Sequence, residues 1–229
     1  MAVITGFSID DAWRNAITAC YKEGVDYRVE QGSYVGQFRR QLEHAVIRIS
    51  NPGTRPLAVI PPQPFPPPTC EEKIELYFIK YLMSDKIEVN EDYVYGSYIV
   101  GVPTEEHNTS KRERKPAIDI AIEMLNQTKG ATNQACISIG GLEAIVMADP
   151  PCLRVVDFKV INKHLYLNVF FRSWDLFAGF PENLAGLQMV KEYVLSNLTF
   201  ECEDGPLIAY SSGLHLYSQY WDIVHEMVY

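Results

Sequence analysis

The chain has 229 residues, of which 47% are hydrophobic and 21% are charged. These values are typical of one large or two small folded domains and exclude a disordered or collagen-like protein. Twenty Lys and Arg residues against 29 Asp and Glu leave a net charge of −9, which argues against a nucleic-acid partner. A local basic site could still bind one small phosphate ester.

No apolar run is long enough for a transmembrane helix, and the start of the chain lacks a basic segment followed by a long apolar one. We therefore expect no signal peptide, no membrane partner and a cytoplasmic location. The five cysteines are odd in number, widely spaced and without a CxxC pair, which argues against a disulfide framework. No histidine pairs with a cysteine at metal-ligand spacing, so we expect no metal site.

The first elements in chain order are a helix, a strand and a proline-rich segment. The helix over residues 8–23 has Ser8 as a cap, an apolar stripe at helical spacing and Gly24 at its end. A strand is predicted at the end of residues 34–50. Eight of the fourteen prolines then lie in residues 52–68. We expect this extended segment to wrap the domain surface, with a partner-binding motif as the alternative.

Helices and strands alternate through the rest of the chain, which predicts an α/β or α+β class. Further helices are predicted over residues 70–83, 117–129 and 183–197 and from about residue 214. Strands are predicted at ACISIG, over residues 153–160 and 164–172 as a hairpin, and over residues 206–211. The polar residues 104–115 are typical of a solvated loop.

One segment combines a potential nucleophile with an anion-binding residue. Cys152 follows two prolines at the start of the predicted hairpin, and Arg172 lies twenty residues later at its end. Adjacent antiparallel strands can bring such residues together. An arginine near a cysteine lowers the pKa of the thiol and can bind phosphate through paired hydrogen bonds. The pattern indicates nucleophilic attack on a phosphorylated substrate.

Four short motifs occur in this order along the chain, and the first two contain this pair. They are Pro151-Cys152, Arg172-Ser173-Trp174-Asp175, Pro181-Glu182-Asn183 and His215-Leu216-Tyr217-Ser218. In order and spacing they resemble the thymidylate synthases and the related pyrimidine-nucleotide hydroxymethylases, most of all the archaeal, methanogen-type thymidylate synthases. The resemblance spans roughly residues 70–225. It implies a single α/β domain over residues 1–229, with a mixed sheet flanked by helices, that forms a homodimer through that sheet.

The resemblance implies reductive methylation of dUMP to dTMP with a methylene-tetrahydropterin as donor. The tetrahydromethanopterin form is expected and tetrahydrofolate is the alternative, since the chain ends at Tyr229 without the extension that closes over folate. Cys152 would add to carbon 6 of the pyrimidine, which makes carbon 5 nucleophilic. Glu75 would run the acid and base steps through water, and Tyr95 would help remove the proton of carbon 5. Asp175 would position the pterin ring.

The remaining implied roles concern the nucleotide. Arg172 would bind the 5′-phosphate and keep the thiol ionised, with Ser173 as a second phosphate donor. Asn183 would read the edge of the pyrimidine, because an amide can donate to O4 and accept from N3–H of uracil. His215 and Tyr217 would hold the ribose hydroxyl.

The chain departs from the family in its phosphate contacts. The segment after the third predicted helix holds Asn133 and Gln134, where family members usually have two arginines that reach the partner subunit's phosphate. An early phosphate-binding arginine is also missing near Gln31, and Arg39 or Arg40 is a candidate replacement.

Two other functions stay open. In a hydroxymethylase, water rather than hydride would complete the reaction, and cytosine-specific members carry an aspartate near the position of Asn183. Glu182, immediately before it, keeps that variant open. The third hypothesis is a nucleotide-binding relative without catalysis, against which the presence of Cys152 argues.

Overall fold

The computed structural model describes residues 1–31, 34–89, 91–103 and 114–229. The strands are β1 Ala2–Gly6, β2 Val25–Arg28, β3 Phe38–Leu42, β4 Ala45–Ile49, β5 Cys136–Ser138, β6 Leu153–Ile161, β7 His164–Phe171, β8 Trp174–Asp175, β9 Glu203–Ser211 and β10 Leu214–Tyr217. The helices are α1 Ile9–Glu23, α2 Glu71–Tyr77, α3 Gly96–Ile99, α4 Ala117–Thr128, α5 Gly179–Ser196 and α6 Trp221–Val228. A π-helical stretch, Phe78–Leu82, continues α2, and Leu142–Val146 and Ser218–Tyr220 are short 3-10 helices.

The predicted mixed sheet is present and has six strands in the order β1-β4-β9-β7-β6-β5. The pairs β1/β4 and β7/β9 are parallel, and the other neighbours are antiparallel. A second sheet of four strands, in the order β2-β3-β10-β8, was not predicted. Its strands are short and come from distant parts of the chain, so no local sequence pattern predicts that they pair with one another.

The predicted final helix from about residue 214 is wrong. Leu214–Tyr217 is the strand β10, which pairs with β3 and β8, and helix α6 begins only at Trp221. Leu214 and Leu216 are buried. The strand partners of this segment lie far away in sequence, and pairing with them decides its conformation. Part of the predicted loop 104–115 lies outside the described residues.

Helix α1 forms as predicted and connects the core to the loop after β8. Ser8 caps the helix, and the side chain of Asp11 completes a reciprocal capping box. Trp13, which is fully buried, donates its indole N–H to the carbonyls of Leu176 at 3.0 Å and Phe177 at 3.2 Å. These bonds hold in place the chain segment that immediately follows Asp175.

The proline-rich segment wraps the surface, as expected. Neither helix nor strand is present between Ile49 and Glu71. Leu57 and Val59 are buried, while the backbone N–H of Ala58 donates to the Glu71 carboxylate at 2.7 Å. The segment is therefore held against the domain by apolar contacts and by hydrogen bonds to neighbouring helices.

The predicted β6–β7 hairpin is confirmed. Asn162 and Lys163, the two residues of its turn, have φ values of 50° and 61°. Two consecutive left-handed residues are typical of the tight turn whose twist matches that of a hairpin. Helix α5 starts four residues earlier than predicted, at Gly179, and contains Pro181 in its first turn, where proline is tolerated. None of the described helices is long and apolar enough to cross a membrane.

Candidate active site

The β6–β7 hairpin brings Cys152 and Arg172 together, as the spacing predicts. Cys152 immediately precedes β6 and Arg172 immediately follows β7, and the Arg172 backbone N–H donates to the Cys152 carbonyl at 2.9 Å. The Arg172 guanidinium donates to the carbonyl of Pro151 at 3.1 Å and to that of Pro150. It also lies 3.6 Å from the carboxylate of Asp149. The guanidinium is therefore held over the segment that carries the thiol.

The electrostatic balance at Cys152 differs from the expectation. Burial raises the pKa of the thiol, the nearby Arg172 charge lowers it, and Asp149 raises it further. The net effect is a raised pKa because loss of solvation outweighs the arginine. Arg172 lowers the pKa of the thiol, as predicted, but in this structure its charge does not offset the effect of burial.

Four tyrosines form a wall beside the nucleophile. The hydroxyl of Tyr95 accepts the backbone N–H of Leu153 at 3.2 Å, one residue after the cysteine. Its ring contacts those of Tyr81 and Tyr93, with centroids 5.3 and 5.6 Å apart, and Tyr81 stacks on Tyr77. Burial raises the pKa of Tyr95 well above its ordinary value, so its hydroxyl stays protonated. Of these four residues, the sequence analysis predicted only Tyr95 as part of the site. The four-residue spacing of Tyr77 and Tyr81, which places them on the same face of a helix, is the signal that could have indicated those two.

The amide of Asn183 is held at both ends. Its Oδ1 accepts the indole N–H of Trp174 at 3.0 Å, and its Nδ2 donates to the Tyr77 hydroxyl at 2.9 Å. An indole N–H can only donate, so it can face only the oxygen end of the amide. A flipped amide would place two donors against each other. Trp174 thus fixes the orientation of the side chain that is predicted to read the base.

One face of the four-stranded sheet collects the other predicted polar residues. His215 on β10 is opposite Asp175 on β8 and Gln41 on β3, and Tyr217 is opposite Arg39. Residues that are opposite each other share a face, as do residues two apart on a strand. All five side chains therefore point to the same side of this sheet. Gln41 was not predicted because nothing in the sequence shows how β3 pairs.

His215 presents a neutral ring with an unpartnered acceptor. Its Nδ1 lies 2.9 Å from the carbonyl of Gly213, which can only accept, so Nδ1 carries the proton. Burial lowers the pKa of His215 to about 4. The Nε2 atom is buried and has no hydrogen-bond partner among the described residues. It is suited to accept a hydrogen bond from a hydroxyl group.

We expect the replacement of His215 by asparagine to weaken the acid sensitivity of folding. The folded-state pKa of about 4 lies below the ordinary 6.5, so between these values only the unfolded state gains a proton. Stability therefore falls as the pH drops through this range, by about 3 kcal/mol at most. Asp175 opposes this trend, since burial raises its pKa from 3.8 to about 6 and it stabilises the fold as the pH falls. Urea unfolding of both proteins between pH 7 and pH 4 measures the difference; identical pH dependence would contradict the assignment.

Asp175 offers acceptors for the amino and N–H groups of a pterin ring. Its Oδ1 accepts backbone N–H groups from Phe177 at 3.0 Å and Ala178 at 3.4 Å, which fix the carboxylate at the start of α5. The Asp175 charge contributes to the raised pKa of Tyr217, about 12, so the two side chains are close. A fixed carboxylate on the site face fits the predicted role. No group of three or more His, Cys, Asp or Glu side chains that could hold a metal ion occurs in the described ranges.

The structure does not connect two of the predicted residues, Glu75 and Ser173, to the other described site residues through side-chain hydrogen bonds. Glu75 is exposed on α2, and no hydrogen bond connects it to the other site residues within the described part of the chain. Ser173 is half-buried next to Arg172. The neighbouring Glu182 accepts the hydroxyl of Thr69 at 2.8 Å, so its carboxylate is engaged away from Asn183.

Comparison with known proteins finds similarity to one family. The model of the thymidylate synthase family matches residues 81–229. A protein of Methanosarcina acetivorans named "Putative thymidylate synthase" is 25% identical over 99% of this chain and 94% of its own length. A protein of Methanocaldococcus jannaschii with the same name is 27% identical over 82% of this chain and 78% of its own.

A solved structure shows the same fold. The thermostable thymidylate synthase A from Bacillus subtilis matches with a TM-score of 0.70 and 16% identity over 96% of this chain and 84% of that one. The predicted α/β fold and the predicted resemblance are both confirmed. Together with the family model, which matches well over half of the chain, these similarities show that the chain belongs to the thymidylate synthase family.

Proposed function

We propose that this chain, as a single domain over residues 1–229, is a thymidylate synthase that methylates dUMP to dTMP. The observation that carries the proposal is the hairpin contact of 2.9 Å that places the Cys152 backbone against that of Arg172. A thiol beside an anion-binding guanidinium is the pairing that nucleophilic attack on a nucleotide needs. The family membership supports the same chemistry.

In the proposed complex, the phosphate is bound by Arg172 with help from Ser173. The Nε2 atom of His215 accepts the hydrogen bond of the ribose hydroxyl, and the Tyr217 hydroxyl supports it. Asn183 keeps one unused lone pair on Oδ1 and one unused N–H on Nδ2. These groups accept from N3–H and donate to O4 of uracil.

The chemical steps follow from these positions. The Cys152 thiolate bonds to carbon 6, and the displaced electron pair makes carbon 5 an enolate carbon that can attack an electrophile. Asp175 would hold the methylene-tetrahydropterin, which would supply the one-carbon unit and, for methylation, the hydride. Tyr95, with its hydroxyl next to the Cys152–Leu153 peptide, takes part in removing the proton of carbon 5. Glu75 carries out the acid and base steps through a water molecule. The bond between carbon 6 and the sulfur of Cys152 then breaks, which restores the thiolate.

We further propose a homodimer formed through the outer face of the six-stranded sheet. Helices α1 and α5 cover the opposite face. On the outer face, Val3 is 68% and Tyr210 43% exposed, and Phe170 is half-buried. Asn133 at this face accepts from Lys159 at 3.1 Å, where the family commonly has an arginine. Exposed aliphatic and aromatic side chains on a sheet face that also carries the polar residues Asp157, Lys159 and Asn168 are typical of a subunit interface.

Release of tritium from carbon 5 tests the proposal and separates it from the rival functions. Both dUMP and dCMP labelled at carbon 5 are incubated with the protein, with and without a methylene-tetrahydropterin. Release from dUMP that depends on the pterin and yields dTMP is the expected result. Release that yields a hydroxymethyl product indicates a hydroxymethylase. Binding of dUMP without release under any condition indicates a nucleotide-binding relative.

Replacing Arg172 by alanine should weaken the binding of dUMP about ten- to a hundredfold. A hydrogen bond to a charged group contributes about 1.5–3 kcal/mol, and the partner-chain arginines are absent at Asn133 and Gln134. Calorimetric titration with dUMP measures the loss. Titration with deoxyuridine, which lacks the phosphate, is the control and should be affected much less. Unchanged affinity for dUMP would show that the phosphate is bound elsewhere.

A further inference from the structure

Two consecutive arginines on β3 have different environments. Arg40 donates to both carboxylate oxygens of Asp26, at 2.7 and 3.0 Å, and its guanidinium lies over the rings of Tyr21 and Trp221. Arg39 points to the opposite face of the sheet, because side chains alternate along a strand. There it makes no hydrogen bond or ion pair with any described residue, and its Nε is buried without a partner. Arg40 is therefore structural, whereas Arg39 has no structural partner.

The face that carries Arg39 also carries His215 and Tyr217, two of the proposed nucleotide-binding residues. Arg39 is opposite Tyr217; its positive charge adds to the effect of burial in lowering the pKa of His215 and opposes the rise in the pKa of Tyr217. The guanidinium is therefore close to both side chains. Two further buried atoms on this face, Oε1 of Gln41 and Nε2 of His215, also have no partner in the described part of the chain.

Unpartnered polar atoms of this kind are rare in folded proteins, because burying them without a hydrogen bond is costly. Here three of them are adjacent: a cationic donor at Arg39, and acceptors at Gln41 and His215. The combination suits a ligand that offers an anionic group to the donor and hydroxyl groups to the acceptors. A surface that is merely solvated would not leave these atoms buried.

We propose that Arg39 binds an anionic group, a phosphate or a carboxylate, of a ligand in the active site. The proposal rests on the proposed function, in which two ligands carry such groups. These are the nucleotide, with its phosphate, and the pterin, with the acidic groups of its tail. Gln41, two residues along the same strand, accepts a hydrogen bond from a hydroxyl of the same ligand.

The test compares ligands with and without the anionic group in Arg39→Gln. Calorimetry measures the affinities for dUMP and deoxyuridine, and for tetrahydrofolate and a tetrahydropterin that lacks the glutamate tail. Arg28→Gln is the control variant, because Arg28 is an exposed arginine on the adjacent strand β2. We expect Arg39→Gln to lose about ten- to a hundredfold in affinity for the anionic member of one pair only. The pair that is affected identifies the ligand.

No loss in either pair, or an equal loss for both members of a pair, would overturn the proposal. Arg39→Lys, which keeps the charge, should recover part of the affinity, and it serves as the test if Arg39→Gln fails to fold. Wild-type protein that binds no nucleotide and no pterin would contradict the proposed function instead. The anion site is then tested with inorganic phosphate, which should raise the melting temperature of the wild type and of Arg28→Gln more than that of Arg39→Gln. An equal rise in all three proteins would overturn the anion site.

Discussion

Replacement of Cys152 by serine is expected to abolish turnover while leaving the fold intact. The serine hydroxyl is nearly the same size as the thiol but a far weaker nucleophile, so the bond to carbon 6 of the pyrimidine does not form. The position is half-buried and held by the backbone bond to Arg172, which the substitution keeps. Turnover is measured by tritium release from dUMP, and the fold by circular dichroism.

The covalent adduct gives a second measurement of the same prediction. With 5-fluoro-dUMP and the pterin donor, the wild type should form a stable complex that mass spectrometry detects, and Cys152→Ser should form none. Cys202→Ser is the matched control, because Cys202 is also half-buried and lies outside the site. It should keep both turnover and adduct. Near-normal turnover by Cys152→Ser would contradict the proposed covalent mechanism.

Replacing Asn183 by aspartate is expected to lower activity on dUMP and raise it on dCMP. Uracil offers an acceptor at O4 and a donor at N3, which an amide complements, whereas cytosine offers a donor at N4 and an acceptor at N3. A carboxylate that shares one proton with N3 suits cytosine better. Trp174 and the Tyr77 hydroxyl can both donate to the new carboxylate, so the local structure should tolerate the change. Each unpaired buried group costs about 1–3 kcal/mol.

Trp174→Phe tests whether the fixed orientation of the amide matters. Phenylalanine keeps the stacking on Phe171, now 4.0 Å between ring centroids, but removes the N–H that holds Oδ1 of Asn183. The amide can then flip to meet cytosine, and the preference for dUMP should fall about tenfold, equivalent to 1.4 kcal/mol.

The ratio of kcat/KM for the two nucleotides, measured in the wild type and both variants, decides these expectations. A wild type that prefers dCMP would replace the thymidylate synthase proposal by the cytosine-specific hydroxymethylase. A ratio that stays constant in Asn183→Asp would show that this side chain does not read the base. A ratio that moves in Asn183→Asp but not in Trp174→Phe would show that Trp174 does not control the amide.

The sequence by itself determined the elements whose causes are local. Helix α1 follows from its capping residues and apolar stripe, and the β6–β7 hairpin follows from two β-rich runs around a short turn. The contact between Cys152 and Arg172 also follows from the sequence, because a hairpin of known length brings its two ends together. Short-range geometry is sufficient to specify these features.

Only the tertiary structure decided the features that depend on distant parts of the chain. Leu214–Tyr217 is a strand because β3 and β8 supply its partners. The different roles of Arg39 and Arg40 follow from the pairing of β3, which sends one side chain into the site and the other onto Asp26. The raised pKa of Cys152 reflects burial by surrounding elements, whose desolvation outweighs the one nearby charge that the sequence could reveal. Pairing partners and solvent exclusion are properties of the assembled fold, so local residue patterns do not contain them.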